Sequence, residues 1–438
     1  MRAFGIRVFC CLAFLALHGA AQGDEPSPTV DGLTAPELEK KPFELGGYFE
    51  FKQEELWLNR GAPLYNLNFP DPSGPDTLDR STGTLQLKGK YSQGIASFNF
   101  LTNSQASRDE TTHTHDNTFF EAYLSLKPNP NFTLDAGKKT LDWGKGYAWN
   151  PVGFVQRPKD PNDPALAREG YTFVAADFIH SFEGPLQTIA FTPVLLPVSS
   201  DVNSDFGKPD HVNVAGKLYF LYRDTDIDVL YLGNGSKGSR FGFDFSRNLG
   251  SNMEVHGEWA HISDATKAVV NAAGQVSLPQ DNVESYLLGM RYLTEGQTTY
   301  IAEYYHNGPG FSEAETASFY HFADNAVAQY QATGNDALLQ RAQFMSQGAY
   351  GGPNPMRNYL YFRASQQDAF GIVYFIPAVT LMANLGDQSF SLTPELLYTG
   401  INNLELRARV YLLHGDRLSD FGSKQNTSKL EVYARYYF

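Results

Sequence analysis

The chain has 438 residues and a formal net charge of −14 at pH 7, with 34 Lys and Arg against 48 Asp and Glu. This acidity excludes nucleic acid as a default partner, because surfaces that bind nucleic acid are ordinarily basic. The 2 cysteines, Cys10 and Cys11, both precede the cleavage point expected below, so no disulfide, thiol nucleophile or thiolate metal site is expected after it.

The amino-terminal residues have the features of a secretory signal. Arg2 and Arg7 supply positive charge, residues 8–17 are mainly apolar, and small residues lead to an expected cleavage after Ala21. The apolar stretch is far shorter than the ~20 residues that a membrane-spanning helix needs. We therefore predict a signal peptide over residues 1–21 and a periplasmic segment over residues 22–42.

From residue 43 onward, short segments alternate between apolar and polar residues, a pattern typical of β-strands. The 25 Tyr, 32 Phe and 39 Gly fit a barrel with aromatic girdles and many turns. We predict an all-β fold, a transmembrane antiparallel up-and-down β-barrel of about 18 strands, over residues 43–438. The expected strands cover residues 47–57, 83–91, 95–101, 119–126, 132–140, 171–182, 186–196, 211–222, 227–232, 240–247, 253–262, 283–292 and 298–306, part of 359–375, and 379–385, 390–398, 404–413 and 429–438.

Three polar loops, residues 61–74, 103–117 and 413–428, are predicted to be extracellular. The longest loop, residues 307–357, differs because Phe319, Phe322 and Ala323 recur at helical spacing and a second helical pattern follows Gly334. We expect short helices there. They would either fold into the mouth, with an apolar stripe on the inner wall, or form a solvent-exposed cap.

The last strand has two different faces. Leu430, Val432, Ala434, Tyr436 and Phe438 form an apolar row, and the alternate positions are polar or charged. In an outer-membrane barrel the apolar row faces lipid and the charged row faces a watery lumen. A lipid-facing Arg or Lys at mid-bilayer would cost ~2–4 kcal/mol, so the segregation of charge indicates an aqueous interior.

The polar faces supply the predicted pore lining, since rings of charge select solutes by sign. Basic residues and tyrosines concentrate on the carboxy-terminal strands, where guanidinium groups would guide an anionic or sugar-like solute. Alternatively, these arginines pair across strands with Glu405, Glu431 and Glu303 and only satisfy a wet wall. The candidate pore-lining residues are Lys88, Lys139, Lys217, Arg291, Arg363, Arg407, Arg409, Arg435, Tyr411, Tyr433, Glu405 and Glu431.

Residues 141–170 form a long loop rich in Trp, Pro and charge, and its constriction candidates are Trp143, Lys145, Trp149 and Arg157. The run of residues 137–151, GKKTLDWGKGYAWNP, resembles a segment of porin-like outer-membrane barrels of Gram-negative bacteria. In those barrels a strand with Gly and basic residues runs into Trp-Gly and an Asn-Pro loop, and the alginate-export barrels look similar there. Residues 404–411 and the terminal Phe438 also fit this family.

The resemblance implies a location in the Gram-negative outer membrane, in contact with lipid and lipopolysaccharide. It also implies that the outer-membrane barrel assembly machinery reads Tyr433, Tyr436 and Phe438 as an assembly signal. Alginate-export pores are strongly basic, whereas the predicted lumen here holds nearly as many acids as bases. This difference favours a general porin-like channel for small hydrophilic solutes, anionic ones included.

We therefore predict passive diffusion, with export of an anionic polysaccharide or organic acid as the alternative and a closed barrel enzyme or adhesin as a third. An enzyme is not favoured: Glu254, His256 and Glu258 would share one strand face, but no nucleophile accompanies them. No catalytic residue, cofactor or metal ligand is assigned. Asp201, Asn203, Asp205 and Asp210 begin like a calcium loop, yet Phe206 and Val212 occupy the positions that need Gly and Glu.

Overall fold

The computed structural model describes residues 42–110 and 112–438. The predicted signal peptide, and the predicted periplasmic segment up to Lys41, lie outside the described residues. Within the described ranges, no helix has both the length and the hydropathy needed to cross a membrane.

Eighteen antiparallel strands form a closed barrel, in which each strand pairs with its neighbours along the chain. The first and last strands also pair, with Tyr48 opposite Tyr437 and Phe51 opposite Ala434, and this pairing closes the sheet. The predicted all-β barrel of about 18 strands is confirmed. The barrel strands are β1 (Phe43–Leu58), β2 (Thr77–Gln93), β3 (Ala96–Arg108), β4 (His113–Asn129), β5 (Phe132–Lys139), β6 (Tyr171–Ser181), β7 (Leu186–Val198), β8 (His211–Tyr222), β9 (Thr225–Leu232), β10 (Arg240–Asn248), β11 (Met253–Thr266), β14 (Gln280–Leu293), β15 (Thr298–His306), β16 (Asn358–Gln366), β17 (Phe375–Asn384), β18 (Phe390–Ile401), β19 (Leu404–His414) and β20 (Asn426–Tyr437), and a separate hairpin consists of β12 (Val269–Val270) and β13 (Val276–Ser277).

Outward and inward residues alternate along the strands as predicted. On β19, Leu406 and Leu412 are exposed on the outer face, whereas Glu405, Arg409 and Tyr411 are buried inside. Outward apolar residues suit contact with lipid, and the inward polar residues suit an aqueous interior.

Most connections at one end of the barrel are short turns, and most at the other end, which we call the long-loop end, are longer loops. The turn between β8 and β9 is the pair Arg223 and Asp224, with φ of 48° and 59°. Two successive positive φ angles define a type I′ turn, whose twist matches that of a β-hairpin. Such turns hold adjacent strands in a fixed register.

Two of the predicted loops are wrong in part. Most of residues 103–117 is strand, because β3 continues to Arg108 and β4 begins at His113. These strand ends are polar on both faces, so they carry no apolar alternation to reveal them. The loop at residues 61–74 contains helix α1 (Pro63–Asn68), which is too short to show a helical period.

The predicted helices of the longest loop are confirmed as α2 (Glu313–Thr333) and α3 (Ala337–Gln347). Helix α2 begins with a capping box between Ser312 and Glu315 and ends at Gly334, with φ of 71°. Its buried residues, among them Phe319 and Phe322, pack with Leu67 of α1 and Val270 of the small hairpin. The apolar stripe therefore covers other long-loop elements, and the expectation that it packs on the inner barrel wall is wrong.

Candidate functional site: a segment folded across the barrel

Residues 140–170, which we call the inserted segment, leave the wall after β5 and return to it at β6. Its apolar residues, including Trp143, Val152 and Phe154, are buried against inward residues of β6 to β9 such as Val194 and Leu230. An apolar patch on the inner wall therefore receives the apolar side of the segment.

Glu258 of β11 is the main anchor of this segment. Its buried carboxylate accepts hydrogen bonds from the backbone N–H groups of Lys145 (2.7 Å), Gly146 (2.6 Å) and Val152 (3.2 Å). The side chain of Asn150 donates a fourth, at 2.9 Å. Backbone amides that point at one carboxylate compensate its burial and fix the backbone around it.

Glu303 of β15 holds the next two residues of the segment. It accepts hydrogen bonds from the backbone N–H groups of Tyr147 and Ala148, the latter at 2.9 Å. The ring of His256 lies 2.8 Å from the same carboxylate. Thus Glu254, His256 and Glu258 do share an inward face, and the contacts of His256 and Glu258 position the inserted segment.

Lys145, a predicted constriction residue, points back to the wall. Its Nζ lies 2.9 Å from Asp228 Oδ2 and 3.9 Å from Asp244 Oδ1. Burial alone would lower the pKa of this ammonium group, but the two carboxylates outweigh it and raise the pKa above its usual value. Lys145 is therefore a charged tether.

Trp149 carries the segment to the far side of the barrel. Its ring stacks on Tyr305 of β15, with centroids 5.2 Å apart, and lies 6.0 Å from the ring of Tyr359 on β16. In the closed sheet, β16 is roughly halfway round from β5 and β6, where the segment is rooted. A segment that touches opposite walls must cross the interior.

Arg157 and two residues of the calcium-like sequence, Asn203 and Asp205, hold the end of the inserted segment where the chain returns to the wall. Arg157 donates to both carboxylate oxygens of Asp205 at 3.0 Å, and also to the carbonyl oxygens of Glu169 and Gly170. Asn203 accepts from the backbone N–H of Thr172 at 2.8 Å. Two of the four calcium-like residues thus position this part of the chain.

The predicted basic wall consists of Arg291, Arg363, Arg407, Arg409 and Arg435. We call the last four, which lie on β16, β19 and β20, the arginine wall. Each has a carboxylate partner. Arg363 pairs with Glu395 (2.7 Å), Arg407 with Glu405 (2.9 Å), Arg409 with Asp163 of the inserted segment (3.0 Å) and Arg435 with Glu50 (2.6 Å). Arg409 also contacts Glu395, and Glu431 at 3.5 Å.

The arginine wall is therefore an ion-paired network. The alternative predicted from the sequence, in which these arginines pair across strands, describes Glu405 and Glu431 correctly. The same alternative pairs Glu303 with an arginine, and this part is wrong because Glu303 binds the inserted segment instead. Tyr411 and Tyr433 are buried in the wall, with Lys429 over the first ring and Arg407 over the second. Asp163 and Glu395, which complete the network, were not among the predicted site residues.

The remaining predicted lining residues are dispersed. Lys139 pairs with Asp135 of its own strand at 2.6 Å, and Lys217 lies 3.9 Å from Asp228. Lys88 and Arg291 are exposed. The structure does not bring these four residues together at one place.

A cavity of 580 Å³, which we call the lumen cavity, lies along the arginine wall. Five acidic and six basic side chains line it, so its charge is nearly balanced. The inserted segment contributes Asp160, Asn162 and Asp163. The charged lining residues are Glu50, Glu54, Asp160, Asp163, Glu431, Lys52, Arg80, Arg409, Lys424, Lys429 and Arg435.

A second cavity of 560 Å³, which we call the vestibule cavity, lies at the long-loop end. The inserted segment contributes Trp149, Lys159 and several residues between them to the lining. The ends of several strands, and loop residues on both sides of α2 and α3, complete it. Among the described residues, no acidic side chain lines it. Its charged lining residues are Arg157, Lys159, Lys237, Arg240 and Lys267.

Comparison with known proteins gives a likeness of fold. No protein-family model matches the sequence, and no curated protein matches it. The structure is similar to Pseudomonas aeruginosa OccK5 (OpdH), with a TM-score of 0.50 and 11% identity over 90% of this chain and 98% of that chain.

Two further structures are similar over much of their length. Acinetobacter baumannii OccAB1 has a TM-score of 0.49 and 11% identity over 90% of this chain and 96% of that chain. A triple mutant of the Rhodopseudomonas blastica porin has a TM-score of 0.45 and 11% identity over 90% of this chain and 100% of that chain. The likeness to OccK5, at a TM-score of 0.50, is a likeness of fold.

Proposed function

We propose that this protein is a channel of the Gram-negative outer membrane for passive diffusion of small hydrophilic solutes. The observation that carries the proposal is the position of the inserted segment, which is tied to Glu258 and Glu303 and reaches the arginine wall through Asp163. A segment that crosses a barrel narrows its passage and makes the charges beside it a filter.

The balanced lining of the lumen cavity supports hydrophilic solutes in general. Paired arginines keep their charge and their spare N–H donors, so they admit anionic solutes without holding them tightly. A strongly basic surface, as an exporter of an anionic polysaccharide would use, is less consistent with these pairs. We therefore place the polysaccharide or organic-acid exporter second.

The proposal includes the surroundings of the barrel. Lipid and lipopolysaccharide would contact the outward apolar face, and the barrel assembly machinery would read Phe438, an exposed residue. Its backbone is fixed by two hydrogen bonds with Gly47, of 3.0 and 3.1 Å.

Conductance in planar bilayers tests the proposal. The full chain should give stable current steps, and reversal potentials in a salt gradient should show weak selectivity because the lumen charge is nearly balanced. Absence of current from folded, inserted protein would contradict the channel. A strong and exclusive anion selectivity would favour the exporter instead.

A further inference from the structure

The vestibule cavity differs from the lumen cavity because it is lined by cations and by no acidic side chain among the described residues. Two of its five cations are neutralised: Arg157 binds Asp205, and Lys267 Nζ lies 2.8 Å from Glu315. Lys159, Lys237 and Arg240 have no carboxylate within 4.0 Å among the residues that the structure describes. The cavity therefore has an excess of positive charge.

These three cations are placed in different ways. Lys159 donates to the carbonyl oxygens of Gly146 (2.6 Å) and Tyr147 (3.3 Å), which are neutral acceptors. Lys237 lies 4.1 Å above the ring of Phe206. The Nε atom of Arg240 is buried and has no hydrogen-bond partner. An unpaired cation destabilises a folded protein, so a cluster of them beside a cavity indicates an anionic ligand.

The rest of the lining narrows the ligand class. The lining also includes the stacked rings of Trp149 and Tyr305, with their polar edges, and the amide side chains of Asn307 and Asn354. Such groups suit a small polyhydroxylated body. Three cations, two of them lysines, suit an anion with more than one charge, for which phosphate is the common biological group. A volume of 560 Å³ is in the range of small-molecule sites.

We propose that the vestibule cavity binds small phosphorylated solutes of the sugar-phosphate type, with the phosphate at Lys237 and Arg240 and within reach of Lys159. This site goes beyond the proposed channel, because binding there does not require that the barrel conduct. Solutes caught at the long-loop end would be concentrated beside the inserted segment.

Calorimetry on the full chain in detergent, at low salt, tests the site with glucose 6-phosphate as the probe and glucose as the neutral control. Glucose 6-phosphate should bind saturably and glucose should not. Arg240→Gln should weaken binding by about tenfold, which corresponds to the loss of one charge-assisted contact. Lys237→Gln should weaken it as well.

Lys208→Gln is the matched control, because Lys208 lies in a neighbouring loop, is exposed and does not line the cavity. It removes the same charge and should leave binding unchanged. If Arg240→Gln fails to fold, Lys237→Gln in its loop still decides the result. Equal affinity in the wild type and in the folded variants would overturn the site, and so would equal binding of glucose.

Citrate distinguishes the phosphate from a carboxylate. Tighter binding of citrate than of glucose 6-phosphate would overturn the phosphate assignment. Failure of the site and failure of the channel remain distinguishable: loss of binding with intact bilayer current contradicts only the site, and binding without current contradicts only the channel.

Discussion

The inserted segment lines both the lumen cavity and the vestibule cavity, but the two cavities differ in how their cations are paired with carboxylates. In the lumen cavity, Arg409 and Arg435 each contact a carboxylate, and the acidic and basic side chains nearly cancel. In the vestibule cavity, Lys237 and Arg240 have no such partner among the described residues, and no acid lines the space. Paired cations give a wet, mildly selective path, whereas unpaired cations give a binding site.

The segment itself keeps the two cavities distinct, so releasing it should have the largest effect. Glu258→Ala removes the acceptor of four hydrogen bonds and leaves three backbone N–H groups, two of them buried, without this partner. We expect the docked segment to be destabilised by on the order of 3–5 kcal/mol, with larger conductance and noisier current.

Single-channel recording measures this effect. Glu295→Ala is the control, since Glu295 lies exposed in the turn between β14 and β15. A Glu258→Ala barrel with wild-type current would mean that the segment does not limit the passage. The same variant should also lose glucose 6-phosphate binding if the vestibule cavity depends on the segment.

Removing one arginine of the ion-paired arginine wall should have an intermediate effect. Arg409→Gln leaves Glu395, Glu431 and Asp163 with less positive charge beside the lumen cavity. We expect reversal potentials to shift toward cation preference, because one positive charge is lost from a nearly balanced lining. Glucose 6-phosphate binding should stay unchanged, since Arg409 does not line the vestibule cavity. A change in binding without a change in selectivity would contradict the separation of the two regions.

A change of pH should give the smallest effect, and its expected target is Lys237 in the vestibule cavity. Burial, and then the charge of Arg240, lower the pKa of Lys237 to about 7, while Asp205 opposes the shift. Lys237 is therefore charged below that pH and neutral above it. We expect inorganic sulfate, which stays doubly charged, to bind more weakly at about pH 8 than at about pH 6.

Calorimetry at both pH values measures this difference, and Lys237→Gln should abolish it because the titrating group is gone. An anion that prefers the charged form of Lys237 raises the pKa of Lys237 when it binds. By the same linkage, the anion binds most tightly at pH values where Lys237 is protonated. Stronger sulfate binding at the higher pH would contradict the role of Lys237.

Much of the barrel could be predicted from alternation alone. A strand between lipid and water must place apolar side chains on one face and polar ones on the other, so the pattern on β19 and on β20 identifies both strand and orientation. The pattern failed where strands extend into polar surroundings, as in β3 and β4 near Arg108 and His113. There, neither face requires an apolar residue.

The candidate site was less accessible to the same reasoning. The arginines of the wall could be placed on an inward face, but their partners could not, because Asp163 comes from a loop more than two hundred residues away in the chain. Lys159 and Lys237 also lie in loops, where no periodicity reports which way a side chain points. Arg240 stands on a polar strand face, yet alternation does not tell whether an inward cation finds a carboxylate.

The sequence by itself determined the barrel, its strand number and the inward position of its charges, because those features follow from a repeated local pattern in two solvents. Only the tertiary structure decided that residues 140–170 fold across the interior, that the arginine wall is paired, and that Lys159, Lys237 and Arg240 share one cavity that no acid of the described chain lines. The physical reason is that pairing of charges depends on distances between loops and strands remote in the chain, and no local period encodes those distances.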